Sequence, residues 1–232
     1  KGEGRTVSCK GPRTQSPGRE TMSHDVTEEI FVAAQAGGCA SVIQLRRLIH
    51  RFASEYRKTR SPDAAFFAGR AYYEMSVHFP GRAQKVRTWL QRTIVGRSED
   101  VFSYFLLGCL SFDEGEYLSA FLTFEKIPPG AFGVLNPYWT WRDIKVLELR
   151  CASAIQMNDL DRMASVANIY VEAISVADET DIPAPHELVS ALSVRDQLNR
   201  YPAIVRLLER HVQINWGDEL GSEITRLFNL KQ

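Results

Sequence analysis

The chain of 232 residues contains no long hydrophobic run, and no segment approaches the roughly 18 consecutive apolar residues that a membrane-spanning helix requires. It also lacks, near its first residue, the apolar segment that directs secretion. Only four cysteines occur (Cys9, Cys39, Cys109 and Cys151), and their wide spacing suggests no disulfide framework. These absences predict reduced thiols and a cytoplasmic protein.

Recognisable catalytic motifs are missing as well. The sequence has no G-x-x-x-x-G-K-[ST] loop, no G-x-G-x-x-G after a strand pattern, no H-E-x-x-H and no C-x-x-C pair. Its five histidines are isolated, so no metal site is predicted. We therefore expect no cofactor and no enzymatic activity.

One alternative is that the chain has an enzymatic role that depends on the thiol of Cys39. Cys39 follows Gly37 and Gly38 at a predicted helix start, where the pKa of a thiol can be lowered. On this hypothesis the chain is a helical enzyme or the regulatory domain of one. No histidine lies within a turn of Cys39, so we favour a small packed thiol between two helices.

What the sequence does contain is apolar residues at helical spacing along most of its length. Hydrophobic residues make up 44% and charged residues 24%, which is typical of a globular protein. No segment shows the alternation of a strand. The pattern predicts an all-α fold of about ten to eleven helices, the first starting at Asp25 and the last spanning 218–230.

Two segments interrupt this pattern. Residues 1–22 combine Gly, Pro, Ser and basic residues with almost no large apolar side chain, so they are predicted to be a disordered basic tail or an upstream segment before a start at Met22. Residues 23–232 then form a single domain. Within it, the prolines and glycines of 128–136 predict an irregular joint.

Charge is unevenly distributed although the net charge is zero. Residues 1–97 carry 17 Lys and Arg against 8 Asp and Glu, a net +9, and residues 98–232 carry a net −9. Such asymmetry steers partners and favours head-to-tail self-association. The second predicted helix carries a basic face, which suggests a nucleic-acid-associated module as an alternative. This basic face consists of Arg46, Arg47, Arg51, Arg57 and Lys58.

The most informative stretch is 98–130, SEDVFSYFLLGCLSFDEGEYLSAFLTFEKIPPG. Two helix patterns flank a turn at 114–116. Gly108 lacks a side chain, so the second helix can approach closely, with Ala120 as the small residue that faces it. Tyr104, Leu107 and Phe124 are predicted to fill the remaining space between the two helices.

This spacing of an aromatic residue, Leu-Gly and then Ala-x-x-x-Phe resembles a tetratricopeptide repeat. A second, weaker match centres on Gly69, which lies 39 residues before Gly108 rather than the family's roughly 34. The resemblance implies an α-solenoid of degenerate antiparallel helix pairs over 23–232.

The resemblance also implies a groove lined by the first helix of each pair, in which a peptide or helix of a partner protein docks. Family members that hold a terminal carboxylate carry Lys and Asn at groove positions that are aromatic or aliphatic here, so that mode is not expected. The alternative is that these aromatics belong to the core. The predicted groove residues are Phe66, Phe67, Arg70, Tyr73, Phe102, Phe105, Leu106, Cys109 and Phe112.

The sequence thus predicts a non-catalytic scaffold or adaptor that binds a protein partner.

Overall fold

The computed structural model describes residues 18–78, 81–178, 181–195, 202–211 and 222. Within these ranges the regular structure is entirely helical, without strands, which confirms the predicted all-α class. None of the described helices has the length and apolar character needed to cross a membrane. The helices are α1 (Gly18–Gln35), α2 (Gly38–Thr59), α3 (Pro62–His78), α4 (Ala83–Gly96), α5 (Val101–Asp113), α6 (Tyr117–Phe124), α7 (Ala131–Leu135), α8 (Thr140–Gln156), α9 (Leu160–Val176), α10 (His186–Arg195) and α11 (Pro202–His211).

The first helix starts earlier than predicted. It begins at Gly18 rather than Asp25, so residues 18–22, predicted to be part of a disordered tail, are helical. No proline interrupts 18–35, and Asp25, Glu28 and Glu29 therefore lie inside the helix rather than at its start. Residues 1–17 lie outside the described part of the chain, as does the predicted helix over 218–230 apart from residue 222.

Short polar side chains define several helix starts. The carboxylate of Asp100 accepts a hydrogen bond from the amide of Ser103 at 2.8 Å, at the start of α5. Asp159 accepts one from the amide of Arg162 at 3.0 Å, at the start of α9. Each bond satisfies an amide that has no partner within its helix, which stabilises the helix end by about 1 kcal/mol.

The predicted joint at 128–136 contains a short helix, α7, which the sequence did not indicate. Asp143, in the first turn of α8, explains it: its carboxylate accepts hydrogen bonds from the amides of Phe132 at 3.1 Å and Gly133 at 2.9 Å. A 3₁₀ turn over Pro137–Trp139 then leads into α8. The joint is therefore fixed to α8 by Asp143 rather than being a free loop.

Consecutive helices pack against each other from α1 to α6, and α6 then packs on α8 and α8 on α9. A second set of contacts links helices that are not consecutive: α1 contacts α3, α3 contacts α5, α5 contacts α8, and α8 contacts α10. The five helices α1, α3, α5, α8 and α10 thus follow one another in space.

The buried apolar residues form four clusters in succession along the chain. One joins α1 to α3, the next α4 to α5, the third α5 and α6 to α7 and α8, and the fourth α8 and α9 to α10 and α11. The described core is thus assembled from neighbouring helices.

Two glycines permit close contacts between paired helices. A Cβ on Gly69 of α3 would lie 2.7 Å from Cδ2 of Leu90 on α4. A Cβ on Gly108 of α5 would lie 2.4 Å from Cε1 of Phe124 on α6. Real Cβ atoms do not tolerate such distances, so both contacts depend on glycine. At Gly108 the three nearest atoms belong to the Phe124 ring rather than to Ala120.

We expect Gly108→Ala to destabilise the fold by about 1–2 kcal/mol, because overpacking against the fully buried Phe124 ring outweighs the helix propensity that alanine adds. Urea unfolding monitored by circular dichroism measures the change. In the background of Phe124→Leu, which opens space at the contact, Gly108→Ala should cost less. Stabilisation by Gly108→Ala in the unaltered background would contradict the close contact.

Candidate functional site

The predicted groove residues lie on α3 and α5, and all nine are half-buried. Their rings contact one another across helices rather than lying open. The Phe66 and Phe102 ring centroids are 6.2 Å apart, and Phe102 lies 5.1 Å from Trp139 and 5.2 Å from Phe132. These aromatics therefore pack between helix pairs, while each keeps part of its surface accessible.

A pair of arginines lies beside these rings. Burial lowers the pKa of Arg70 on α3, and the nearby Glu74 opposes the change. Burial and, second, the charge of Arg70 lower the pKa of Arg142 on α8 to about 10. Nε of Arg70 and Nη1 of Arg142 are both buried without a hydrogen-bond partner in the described structure. Burial thus disfavours the charged form of both arginines, and an ion pair with Glu74 at 3.9 Å compensates Arg70 in part.

Aromatic rings hold Arg142 in place. Its guanidinium carbon lies 4.5 Å from the ring centroid of Trp141, 5.2 Å from that of Trp139 and 5.8 Å from that of Phe102. Such stacking uses the faces of the guanidinium, whereas hydrogen bonds form at its edges. The rings therefore orient Arg142 without using its donors.

A second group of polar side chains consists of Tyr73 on α3 and Asp113 on α5. Burial, reinforced by Cys109 and Asp113, raises the pKa of Tyr73 on α3. Burial and the charge of Glu187 raise the pKa of Asp113 on α5, and a hydrogen bond with Tyr73 opposes that rise. The hydrogen bond between Tyr73 and Asp113 therefore links α3 to α5.

The third group is a buried ion cluster at α8 and α10. Nζ of Lys145 lies 2.8 Å from Oε2 of Glu148 and also contacts Glu187. Oε1 of the fully buried Glu148 accepts hydrogen bonds from the amides of Glu187 at 3.2 Å and Leu188 at 3.3 Å, at the start of α10. Burial raises the pKa of Glu148 to about 8, against the opposing influence of Lys145. Glu148 thus ties α10 to α8.

The structure brings together four predicted groove residues, Arg70, Tyr73, Phe102 and Cys109, with polar residues that the sequence analysis did not identify. The missed residues are Asp113, Arg142, Lys145, Glu148 and Glu187. One sequence signal was available: within α8, Arg142, Lys145 and Glu148 recur at every third position. That spacing places them near one face.

The predicted repeat-packing residues are distributed between two clusters. Tyr104 packs with Phe124 and Ala120, and its hydroxyl donates a hydrogen bond to the carbonyl of Ser98 at 3.1 Å. Leu107 instead packs toward α4, with Val86 and Leu90. Leu107 therefore contacts α4 of the preceding pair, whereas Gly108 contacts α6, the partner helix of α5.

The predicted basic face lies on the exposed side of α2. Its five residues (Arg46, Arg47, Arg51, Arg57 and Lys58) are all exposed. Arg51 pairs with Glu29 at 2.6 Å and stacks on Phe52 at 4.5 Å, so one of the five has an acidic partner. The basic face therefore lies on α2, whereas Arg70 lies on α3 and Arg142 on α8.

Cys39 is exposed, so the predicted packed thiol is wrong at this position. The reason is that Gly37 and Gly38 adopt φ of 75° and 50°, and the chain between α1 and α2 turns on the surface. Cys151 is buried and Cys109 half-buried, and all three described thiols are free. Among the described residues no group of three His, Cys, Asp or Glu is placed to hold a metal ion.

Comparison of the chain with family models, with curated proteins and with solved structures gives no match.

We expect Glu148→Ala to lower the free energy of unfolding by about 3 kcal/mol, because it leaves two amides of α10 unpaired and Lys145 with one carboxylate fewer in a buried site. Chemical denaturation of the purified chain measures the loss. Glu125→Ala is the matched control: Glu125 pairs with Arg150 at 3.1 Å but is 43% exposed, so the cost should stay below about 1 kcal/mol. Similar losses for both variants would refute the structural role of Glu148.

Proposed function

We propose that this protein is a non-catalytic, cytoplasmic scaffold built as an α-solenoid of helix pairs, which binds a segment of a partner protein along α3, α5 and α8. The contact pattern supports the solenoid. Each of α1, α3, α5 and α8 contacts both its sequence neighbour and the next member of the series, as the first helices of stacked pairs do. The joint at α7 accounts for the longer connection before α8.

The observation that carries the proposal is the arginine pair. Protein interiors rarely leave charged donors buried without partners, yet Nε of Arg70 and Nη1 of Arg142 have none among the described residues. They lie beside aromatic rings that are only partly covered, including Trp141, which is 36% exposed. Arginine and aromatic side chains with partly accessible surface are enriched at protein–protein interfaces, which supports a binding surface here.

The chemistry of this surface indicates what it binds. Phe66, Phe102 and Trp141 offer apolar contact area, while Arg70 and Arg142 offer positive charge. An extended or helical segment with apolar side chains around an acidic group would match both. The groove is therefore proposed to bind an amphipathic segment rather than a purely apolar one.

To test this, short random peptides displayed on phage are selected for binding to the full chain. The selected peptides are synthesised, and their affinities are measured by fluorescence anisotropy. Binding should weaken about tenfold or more in Arg70→Ala and in Phe102→Leu, because each removes a contact of the central surface. Arg47→Ala on the exposed side of α2 is the control and should leave binding unchanged.

Two outcomes would count against the proposal. One is that the selected peptides lose affinity with Arg47→Ala but not with the groove variants, which would favour the basic face. The other is that the chain binds single-stranded oligonucleotides with a steep salt dependence and selects no peptide, which would favour a nucleic-acid-associated module.

A further inference from the structure

We propose that copies of this chain associate head to tail, with the basic face of α2 in one copy docked on an acidic face of α9 in the next. Both surfaces lie outside the proposed peptide groove on α3, α5 and α8. Each is exposed, the two have opposite charge, and one antiparallel register matches them residue by residue.

On α2, five residues at helical spacing form a stripe on the side opposite the buried residues of this helix. Arg47 and Lys58 carry its charge, and neither has a carboxylate partner among the described residues. Glu55, the single acidic residue of α2, lies outside the stripe. Ile43 adds an apolar side chain that is 51% exposed. This α2 stripe consists of Ile43, Arg47, His50, Ser54 and Lys58.

On α9, five exposed residues form a second stripe, again opposite the buried residues of the helix. Asp161 and Glu172 carry its charge and have no basic partner among the described residues. Arg162, the only base of α9, already pairs with a carboxylate at the helix start. Ile169 and Val176 are 45% and 80% exposed. This α9 stripe consists of Asp161, Ser165, Ile169, Glu172 and Val176.

The two stripes have the same spacing when one of them is read in reverse. From Ile43 the α2 stripe advances by four, three, four and four residues, and from Val176 the α9 stripe steps back by the same intervals. In antiparallel packing the aligned pairs are Ile43 with Val176, Arg47 with Glu172, His50 with Ile169, Ser54 with Ser165 and Lys58 with Asp161. One register thus forms an apolar pair and two ion pairs, and a shift of one turn in either direction breaks both ion pairs.

The nature of these faces indicates how the copies associate. A single pair of helix faces is a small interface, so the contact is weak and depends on charge. The zero net charge of the chain produces no overall repulsion between copies. Because each copy carries both stripes, a contact between two copies leaves one α2 stripe and one α9 stripe free to bind further copies.

Sedimentation velocity of the full chain over a concentration series tests the association. The mean sedimentation coefficient should rise with concentration at low ionic strength and return toward the monomer value at about 1 M salt, where the Debye length is about 3 Å. Arg47→Glu combined with Lys58→Glu should weaken association at least about tenfold. Lys85→Glu combined with Lys126→Glu makes the same charge change at two exposed lysines outside α2 and should leave association unaltered.

Two blocked variants then identify the contacting faces. The first carries Arg47→Glu and Lys58→Glu, and the second carries Ile169→Glu and Val176→Glu. Each should be monomeric alone, because every contact needs both stripes. An equimolar mixture should form a 1:1 dimer and no larger species, because the first variant retains its α9 stripe and the second its α2 stripe. All four altered side chains are exposed, and circular dichroism checks that each variant is folded.

The register is tested by reversing one ion pair. Arg47→Glu alone should weaken association, and adding Glu172→Arg in the same chain should restore it. Failure of the second substitution to restore any association would contradict the proposed alignment.

Several results would overturn the proposal. A sedimentation coefficient of the unaltered chain that does not change with concentration is one, and association that persists in both blocked variants or is equally lost in the lysine control is another. A third is a mixture of blocked variants that stays monomeric while the unaltered chain associates. If the unaltered chain is monomeric and the first blocked variant loses binding to single-stranded oligonucleotides, the basic face binds nucleic acid instead. None of these results bears on the peptide groove, whose test uses other residues.

Discussion

The close approach of paired helices is the constraint on which the rest of this structure depends. At Gly69 and Gly108, one helix of each pair has no side chain where its partner inserts Leu90 or the Phe124 ring. Dispersion contacts decline steeply with distance, so a wider separation would loosen the clusters that follow on either side. The separation of α3 from α4 and of α5 from α6 in turn sets which side chains of α3, α5 and α8 meet.

The contacts between non-consecutive helices form a surface to which α3, α5 and α8 each contribute residues. Arg70 and Tyr73 lie on α3, Cys109 on α5 and Arg142 on α8, and these three helices contact one another in series. The rings around them have two roles. Phe102 contributes to the core through Phe132, and it also lies under the guanidinium of Arg142. The same packing that stabilises the fold therefore positions the candidate site.

The sequence alone predicted much of this fold, because local signals determine helices. Apolar spacing and capping residues located the helices from α2 to α11 except α7, and the glycines at 69 and 108 predicted the close contacts. The start of α1 was wrong because the acidic residues at 25, 28 and 29 suggested an N-terminus that the chain does not use. The short helix α7 was missed because it depends on Asp143, more than a turn beyond it along the chain.

The candidate site was less predictable for a related reason. The spacing of the repeat identified Arg70 and Tyr73, but Arg142 and Glu187 lie 72 and 117 residues after Arg70 in the sequence. Their proximity is a property of helix stacking, and periodicity along one helix carries no information about it. The prediction of a packed thiol at Cys39 was wrong for a local reason. Its sequence surroundings correctly indicated a turn between two helices, but such a turn lies on the surface.

Helix α8 shows how satisfied and unsatisfied charges differ in role within one element. At its middle, Glu148 is fully buried, accepts two amide hydrogen bonds and contacts Lys145, and these contacts offset part of the desolvation that raises its pKa. Six residues earlier, Arg142 is partly buried, stacks on Trp141 and leaves Nη1 without a hydrogen-bond partner among the described residues. The first arrangement stabilises the fold in isolation. The second lowers the stability of the fold, and proteins tolerate such a cost where the side chain has a functional role.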